Sequence, residues 1–348
     1  MMRIIKLLLT GVFAAFLFNS CNKDDDTVLE QPSPAGDYVD GIFVLNEGSQ
    51  SAGTVTFIRS GLQSAEQEIY AAVNDGDDLG NYAQSIFFTE ELAFIISGGS
   101  NLITVVDRYT FELAGKIDSG LAAPRYGVAV GGKAYVTNQA AWDSSDDDYI
   151  AVIDIESLTV EQTVIAGSVA EDIIEGNGLL YVQNAAYGSG NQISIFNPSN
   201  NTIEGTITTG DGLNSIDIEN NMLYALSSGR LESFDLSTHN SISEITSEGL
   251  TGAQNLNVEN GKIYYTINYG VYFIEATATE PAASPLIEYH SNSDYGVMYG
   301  FEVKDEHIFI ADGGDFASNS FVQVFTTGGE LLETIEVGVG PNGFYFND

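Results

Sequence analysis

Tyr135-Val136-Thr137-Asn138 is one of seven copies of a single four-residue shape, and that recurrence decides the fold. The shape is an aromatic residue, two mostly apolar or small residues, then Asn, Ser or Asp. The other copies are Phe43-Val44-Leu45-Asn46, Phe94-Ile95-Ile96-Ser97, Tyr181-Val182-Gln183-Asn184, Tyr224-Ala225-Leu226-Ser227, Tyr265-Thr266-Ile267-Asn268 and Phe309-Ile310-Ala311-Asp312. Their first residues step by 51, 41, 46, 43, 41 and 44 positions. Aromatic and β-branched residues favour strands, and a period of this length is that of a four-stranded blade with its turns.

Each copy is followed by a second apolar strand: Thr54–Ile58, Leu102–Asp107, Tyr149–Asp154, Gln192–Asn197, Leu231–Asp235, Val271–Glu275 and Phe321–Thr326. Several end in Asp or Asn, which open turns. A third strand follows, as in Thr110–Ile117, Leu158–Ile165 and Leu331–Val337. A further strand precedes each copy, with its apolar positions aligned at Ile86, Val128, Ile173, Ile216, Leu256, Phe301 and Phe344. The last of these lies in Pro341-Asn342-Gly343-Phe344-Tyr345-Phe346, a strand with no blade after it, whereas Phe43 has no such strand before it. The two ends therefore complete one blade. The reading is an all-β protein: a seven-bladed β-propeller of four-stranded antiparallel blades, the first closed by the C-terminal strand. Closure of that kind leaves only short sheet edges.

Composition bounds the function. The 348 residues are 44% hydrophobic, with 37 Gly and 7 Pro, enough apolar material for a large core joined by tight turns. There are 11 basic and 49 acidic residues, a net charge of −38, and a chain without a basic face is not built to hold phosphates. No nucleic-acid partner is expected. The one cysteine is Cys21, so the folded body has no disulfide and no thiol chemistry. His239, His290 and His307 are the only histidines, none falls in the channel-mouth ring described below, and no hydrolase or nucleotide motif is present. Catalysis is not expected.

Residues 1–20 read as a signal peptide: Arg3 and Lys6 lead an apolar run from Leu7 to Phe18 that is short for a retained span. Asn19-Ser20-Cys21 resembles the bacterial lipobox, with Phe18 where Leu is usual, which implies lipidation at Cys21. Residues 21–39 form an acidic tether and 40–348 the propeller. Asn22-Lys23-Asp24-Asp25-Asp26 is either a solvated tether or, by resemblance, the surface-export signal of Bacteroidota lipoproteins. The expected address is the outer membrane, lipid-anchored and facing the exterior, with the membrane met through the anchor alone.

In a propeller the inner strands line a central channel. The residue two before each aligned apolar position reads Gln84, Tyr126, Glu171, Asn214, Gln254, Tyr299 and Asn342. All are polar or phenolic, a ring suited to directed hydrogen bonds with a polar ligand, or equally to capping strands and holding channel water. Arg125 stands beside Tyr126 and can pair with Glu171 or Asp172, or meet an anionic ligand group. Loops after the tetrapeptides should rise on the same face. They carry Glu47, Trp142, Tyr187, Tyr269 and Phe316, and the exposed rings of Trp142 and Tyr187 are candidates for stacking on a ligand. Asp143-Ser144-Ser145-Asp146-Asp147-Asp148 and Asn74-Asp75-Gly76-Asp77-Asp78 have the oxygen content of Ca²⁺ loops without EF-hand spacing, and otherwise read as solvated acidic loops. No other cofactor is expected.

The copy Tyr135-Val136-Thr137-Asn138 spells the motif of the YVTN β-propeller repeats, and the body resembles that family and its Bacteroidota surface-lipoprotein branch. With the anchor, the architecture is similar to corrinoid-capture propellers of the BtuG type. The resemblance implies a monomeric, non-enzymatic binding lipoprotein that captures a corrinoid or similar bulky nutrient for a TonB-dependent outer-membrane transporter. Two other readings stay open: an adhesion or scaffold propeller that binds a protein or glycan, and a lactonase- or lyase-type propeller enzyme.

Overall fold

The structure, a computed structural model, describes residues 36–49, 51–141, 143–291, 293 and 296–347. The leader, Cys21, the tether up to residue 35 and Trp142 lie outside the described residues.

Seven four-stranded antiparallel sheets form the blades of a β-propeller. Blade 2 is typical: Ala83–Phe88 innermost, then Leu92–Ser97, Leu102–Asp107 and Leu113–Ile117. The inner strands of blades 3 to 7 are Pro124–Val130, Ile173–Gly176, Ser215–Glu219, Ala253–Glu259 and Met298–Lys304. Blade 1 takes its inner strand, Pro341–Asn347, from the chain end, paired with Gly41–Asn46 from Gly41↔Asn347 to Asn46↔Pro341. The outermost strands of blades 1 and 6, Ala65–Glu66 and Ile287–Glu288, are two-residue stubs, so these edges offer little backbone to another chain. The 51-residue first step also accommodates a short helix, Ile69–Val73, which the sequence reading lacked; its Ile69 and Tyr70 are buried in the core between blades 1 and 2. Among the described residues no helix is long and apolar enough to cross a membrane.

The repeat has a physical basis in the second strand of each blade. In blades 1 to 5 and 7 the aromatic residue is the third of six, and Phe43, Phe94, Tyr135, Tyr181, Tyr224 and Phe309 are all buried between blades. Burying an aromatic side chain of this size contributes about 1.5–3 kcal/mol. The closing polar residue is also buried and fixes the loop above it. Ser97 Oγ donates to the Leu79 carbonyl at 2.6 Å, and Asn138 Oδ1 accepts from the Ala122 amide at 2.9 Å. Blade 6 departs from the reading. Its strand is Lys262–Ile267, so the buried aromatic at the third position is Tyr264, one residue before the copy read from sequence, and Asn268 falls in the exposed turn beyond. Two adjacent tyrosines made the phase ambiguous, and both are buried.

The hairpins that join inner to second strands turn on two residues with positive φ: Gly131-Gly132, Asn177-Gly178, Asn220-Asn221 and Asn260-Gly261. These residue types tolerate that conformation. Blade 7 makes the same turn with Asp305 (φ 49°) and Glu306 (φ 62°); Asp accepts the conformation, but Glu is ill suited to it.

Candidate functional site

The inner strands all begin on one face, and there the chain is irregular. In blade 2 Ala83 pairs with Ser97 and Ser85 with Ile96, so Gln84 is an extra residue, a β-bulge. Blades 1 and 7 do the same at Asn342 and Tyr299. A bulge turns its extra side chain out of the strand's alternation, here toward the channel mouth. The ring position is therefore a bulge position in these blades: the apolar spacing reaches the residue but does not show that the backbone bulges there.

Blade 3 is shifted by one from the sequence alignment. Gly127, not Val128, lies opposite the second residue of the tetrapeptide, Val136. Alignment on apolar residues skipped Gly127. It is glycine because Phe87 of blade 2 fills its side-chain space: a Cβ there would stand 2.4 Å from the Phe87 ring. Tyr126 then sits beside Thr137, whose Oγ1 accepts from the Tyr126 amide at 3.1 Å, and Arg125 becomes the extra residue at the mouth. In blade 6 Gln254 pairs regularly with Thr266, and the irregular residue is Asn255 (φ 55°).

Arg125 joins three blades. Its Nη1 donates to Gln84 Oε1 at 2.5 Å, and its Nη2 and Nε donate to Glu171 Oε1 at 2.5 and 3.1 Å. Gln139 donates to the other oxygen of Glu171, and Gln84 Nε2 donates to the Tyr126 hydroxyl at 3.0 Å. Burial works against the guanidinium charge, but the Glu171 carboxylate outweighs it and holds Arg125 above its ordinary pKa. Across the mouth the exposed Tyr299 donates to Glu47 and meets Phe316 edge-on, ring centroids 4.9 Å apart at 88°. Burial, then the bond to Glu47, pushes the Tyr299 phenol up. Two of the loops expected on this face, those of Glu47 and Phe316, do come to the mouth.

Other ring residues serve blade contacts. Asn214 Oδ1 accepts from the Asn255 amide at 3.1 Å, and Asn342 Nδ2 donates to the Ala83 carbonyl at 2.9 Å. Gln254 and Tyr269 are exposed. The backbone of Tyr187 lies in a single 3₁₀ turn, Ala186–Gly188.

Below the ring lies a cavity of about 290 Å³, lined by Tyr126, Asp172, Glu302, Asn342 and Tyr345 among others. Asn342 Oδ1 is buried without a hydrogen-bond partner among the described residues. Burial, first of all causes, pushes Asp172 up to about 6, Asp217 to about 7 and Glu302 to about 8, and repulsion adds to it, from Glu171 on Asp172 and from Asp172 on both Asp217 and Glu302. Asp217 is tied to the next blade, accepting from the Val258 amide at 2.5 Å, and Asn257 donates to Glu302. Sequence reasoning missed Asp217, Glu302, Gln139 and the pairing role of Glu47. A signal existed for the first two: polar residues recur directly after the aligned apolar position, at Asp217, Asn257, Glu302 and Tyr345.

In the run from Asn74 to Asp78, Asp77 accepts from Tyr70 (2.6 Å) and Lys116 (2.7 Å), while Asp78 caps the Gly80 amide at 3.0 Å. In the run from Asp143, Asp148 is buried and accepts from the Ala170 amide at 3.3 Å. Among the described residues no three His, Cys, Asp or Glu side chains converge as a metal cluster.

With this geometry in place, comparison with known proteins adds the following. A family model described as a domain of unknown function, DUF5074, matches residues 40–246, the outer strands of blade 1 through blade 5. No curated protein matches the chain. A quinonprotein alcohol dehydrogenase-like protein from Bacteroides thetaiotaomicron is 14% identical with a TM-score of 0.69, covering 89% of this chain and 79% of its own. A functionally unknown protein from Desulfotomaculum acetoxidans is 10% identical with a TM-score of 0.67, covering 88% and 98%. Hydrazine synthase from Kuenenia stuttgartiensis is 16% identical with a TM-score of 0.60, covering 77% and 92%. At such identities the likeness is one of fold.

Proposed function

The chain belongs to the DUF5074 family, and on that premise we propose that this propeller is a non-enzymatic binding protein whose ligand docks on the channel mouth. One observation carries the reading. Arg125, Gln84, Glu171 and Gln139 form a cross-blade network that faces an exposed aromatic edge across the mouth, Tyr299 on Phe316, above a polar cavity. The polar groups are pre-positioned by one another, which lowers the ordering cost of binding. The fitting ligand has many amide or hydroxyl groups and a flat or ring-bearing body. A net −38 charge favours a neutral or cationic ligand over a polyanion.

Within that class we propose a corrinoid or a similarly bulky, amide-bearing nutrient, passed on to a TonB-dependent transporter by a protein held through lipid on Cys21 at the outer membrane. The support is the lipobox-like Asn19-Ser20-Cys21, the acidic tether and the resemblance of the repeat. A thermal-shift and absorbance titration with cyanocobalamin tests the ligand: binding should raise the melting temperature and fall in Tyr299→Ala and Arg125→Gln. No binding at micromolar ligand would sink the corrinoid, and a glycan or protein hit from the same screen would favour an adhesion role. Turnover of a lactone abolished by Glu171→Gln would favour the enzyme reading. Retention of Cys21→Ala in the membrane fraction would overturn the anchor.

A further inference from the structure

The inner strand of blade 7, Met298–Lys304, begins beside the ring at Tyr299 and ends on the opposite face at Lys304. There, at the seam where blade 7 meets blade 1, lies a second cavity of about 360 Å³. That size is within the range of small-molecule sites. We propose that it binds a zwitterionic aromatic α-amino acid.

The lining holds both signs of charge around an apolar wall. Ile42, Leu62, Phe309 and Phe346 form the wall, with the Phe309 and Phe346 rings edge to face at 5.4 Å. A further ring can join such a cluster edge-on. Lys304 is the cation of the site. Among the described residues, Arg59, Lys116, Arg125, Lys133 and Arg230 have carboxylate partners, and Arg108 and Lys262 lie over aromatic rings. Lys304 alone of these eight has neither. In so acidic a chain a lysine left without a carboxylate, at the rim of a cavity, is placed for an anion from outside.

The ammonium side is equally defined. Asp40 and Asp305 supply carboxylates to the same lining. His307 Nδ1 lies 2.7 Å from the Asp305 carbonyl, which can only accept, so the ring proton of the neutral imidazole sits on Nδ1. Nε2 is left as an acceptor suited to an ammonium N–H. The wall also carries backbone strain at Leu62 (φ 59°), left-handed without being glycine, asparagine or aspartate. Strain of this kind gathers where a side chain or carbonyl is held for a ligand. A purely anionic ligand would face two carboxylates, and a purely cationic one would leave Lys304 unanswered.

The test is calorimetric titration of the propeller with L-phenylalanine, L-phenylalaninamide and N-acetyl-L-phenylalanine. Saturable binding of L-phenylalanine in the millimolar range or tighter is expected, with each single-charge analogue weaker by roughly five-fold. Lys304→Gln should weaken L-phenylalanine and remove the discrimination against the amide. Ser60→Tyr, which fills the rim, should abolish binding while the circular dichroism spectrum stays that of the parent. Tyr299→Ala, on the ring face, should change nothing. No saturation up to about 10 mM, equal binding of all three compounds, indifference to Lys304→Gln, or loss in Tyr299→Ala would each overturn the proposal.

Discussion

Arg125 and Glu302 are polar residues in places where a side chain must be answered by another, and their substitution should show it. In Arg125→Gln the Glu171 carboxylate loses its two guanidinium bonds while remaining largely buried. A loss of about 1–3 kcal/mol is expected, read as a lower denaturant midpoint with the slope unchanged. Glu171→Gln should cost less, because the uncharged amide still accepts from Arg125. Glu302 sets a pH dependence. Its folded pKa, pushed by burial to about 8, lies above the ordinary carboxyl value. Below that ordinary value both states are protonated and nothing is lost. As pH rises toward 8 the unfolded chain gives up its proton first, so the native state binds more protons and stability falls. Above 8 the loss is complete. Glu302→Gln should therefore flatten the decline in melting temperature between pH 5 and 9, and it should be more stable than the parent at pH 8.5. Parallel curves for parent and variant would contradict the assignment.

Elements show where the sequence was readable and where it was not. The second strands were legible because a buried aromatic recurs at one position, and six of seven copies fell in phase. Blade 6 slipped because Tyr264 and Tyr265 are adjacent and both buried. The inner strands were legible, and their apolar spacing reached Gln84, Tyr299 and Asn342, but not that these are bulges, and Gly127 hides its position by lacking a side chain. Asp217 and Glu302 look like the solvated face of a strand. They are half-buried around the channel only because seven strands converge on one axis, a fact about closure that no single strand contains. The helix Ile69–Val73 was invisible for another reason: five residues carry too little periodicity to separate from loop. The hairpin of blade 7 gives a prediction at this scale. Asp305 and Glu306 hold the left-handed conformation that Asn260-Gly261 holds in blade 6. An L-residue there costs about 1–2 kcal/mol relative to its preferred conformation. Asp305→Asn with Glu306→Gly should raise stability by about 1 kcal/mol, measured as a higher urea midpoint. An unchanged or lowered midpoint would mean that the native pair makes compensating contacts.

The whole molecule is held closed by the exchange at blade 1. The chain passes covalently from the last strand of blade 7, Leu331–Val337, into the innermost strand of blade 1, Pro341–Asn347. To open the ring between blades 7 and 1, either packed sheet faces must part with the chain still linked, or the pairing of Pro341–Asn347 with Gly41–Asn46 must break. Asn347 strengthens that pairing from its far end. It is buried, donates to the Tyr38 carbonyl at 2.6 Å and the Arg108 carbonyl at 3.0 Å, and accepts from Arg108 Nε at 2.5 Å. A circular permutant separates pairing from closure. Starting at Pro341, running through Asn347 into Gly36 and ending at Gly340, it makes blade 1 from one contiguous stretch and keeps every strand. Because Asn347 already pairs beside Gly41, residues 36–40 can serve as the connecting loop. Its two ends now meet at the seam between blades 7 and 1, which packing and a few hydrogen bonds hold, the Glu47 and Gly48 amides to the Gly340 and Val339 carbonyls among them, with no strand pair across it. The permutant should fold with the same circular dichroism spectrum and nearly the same equilibrium stability. It should unfold faster, by roughly ten-fold or more, because the rate-limiting opening no longer breaks a strand pair. Unfolding rates in guanidinium extrapolated to water read this directly. If the permutant unfolds as slowly as the parent, the ring is held by its inter-blade cores alone, and the exchanged strand is a matter of chain order rather than of kinetic stability.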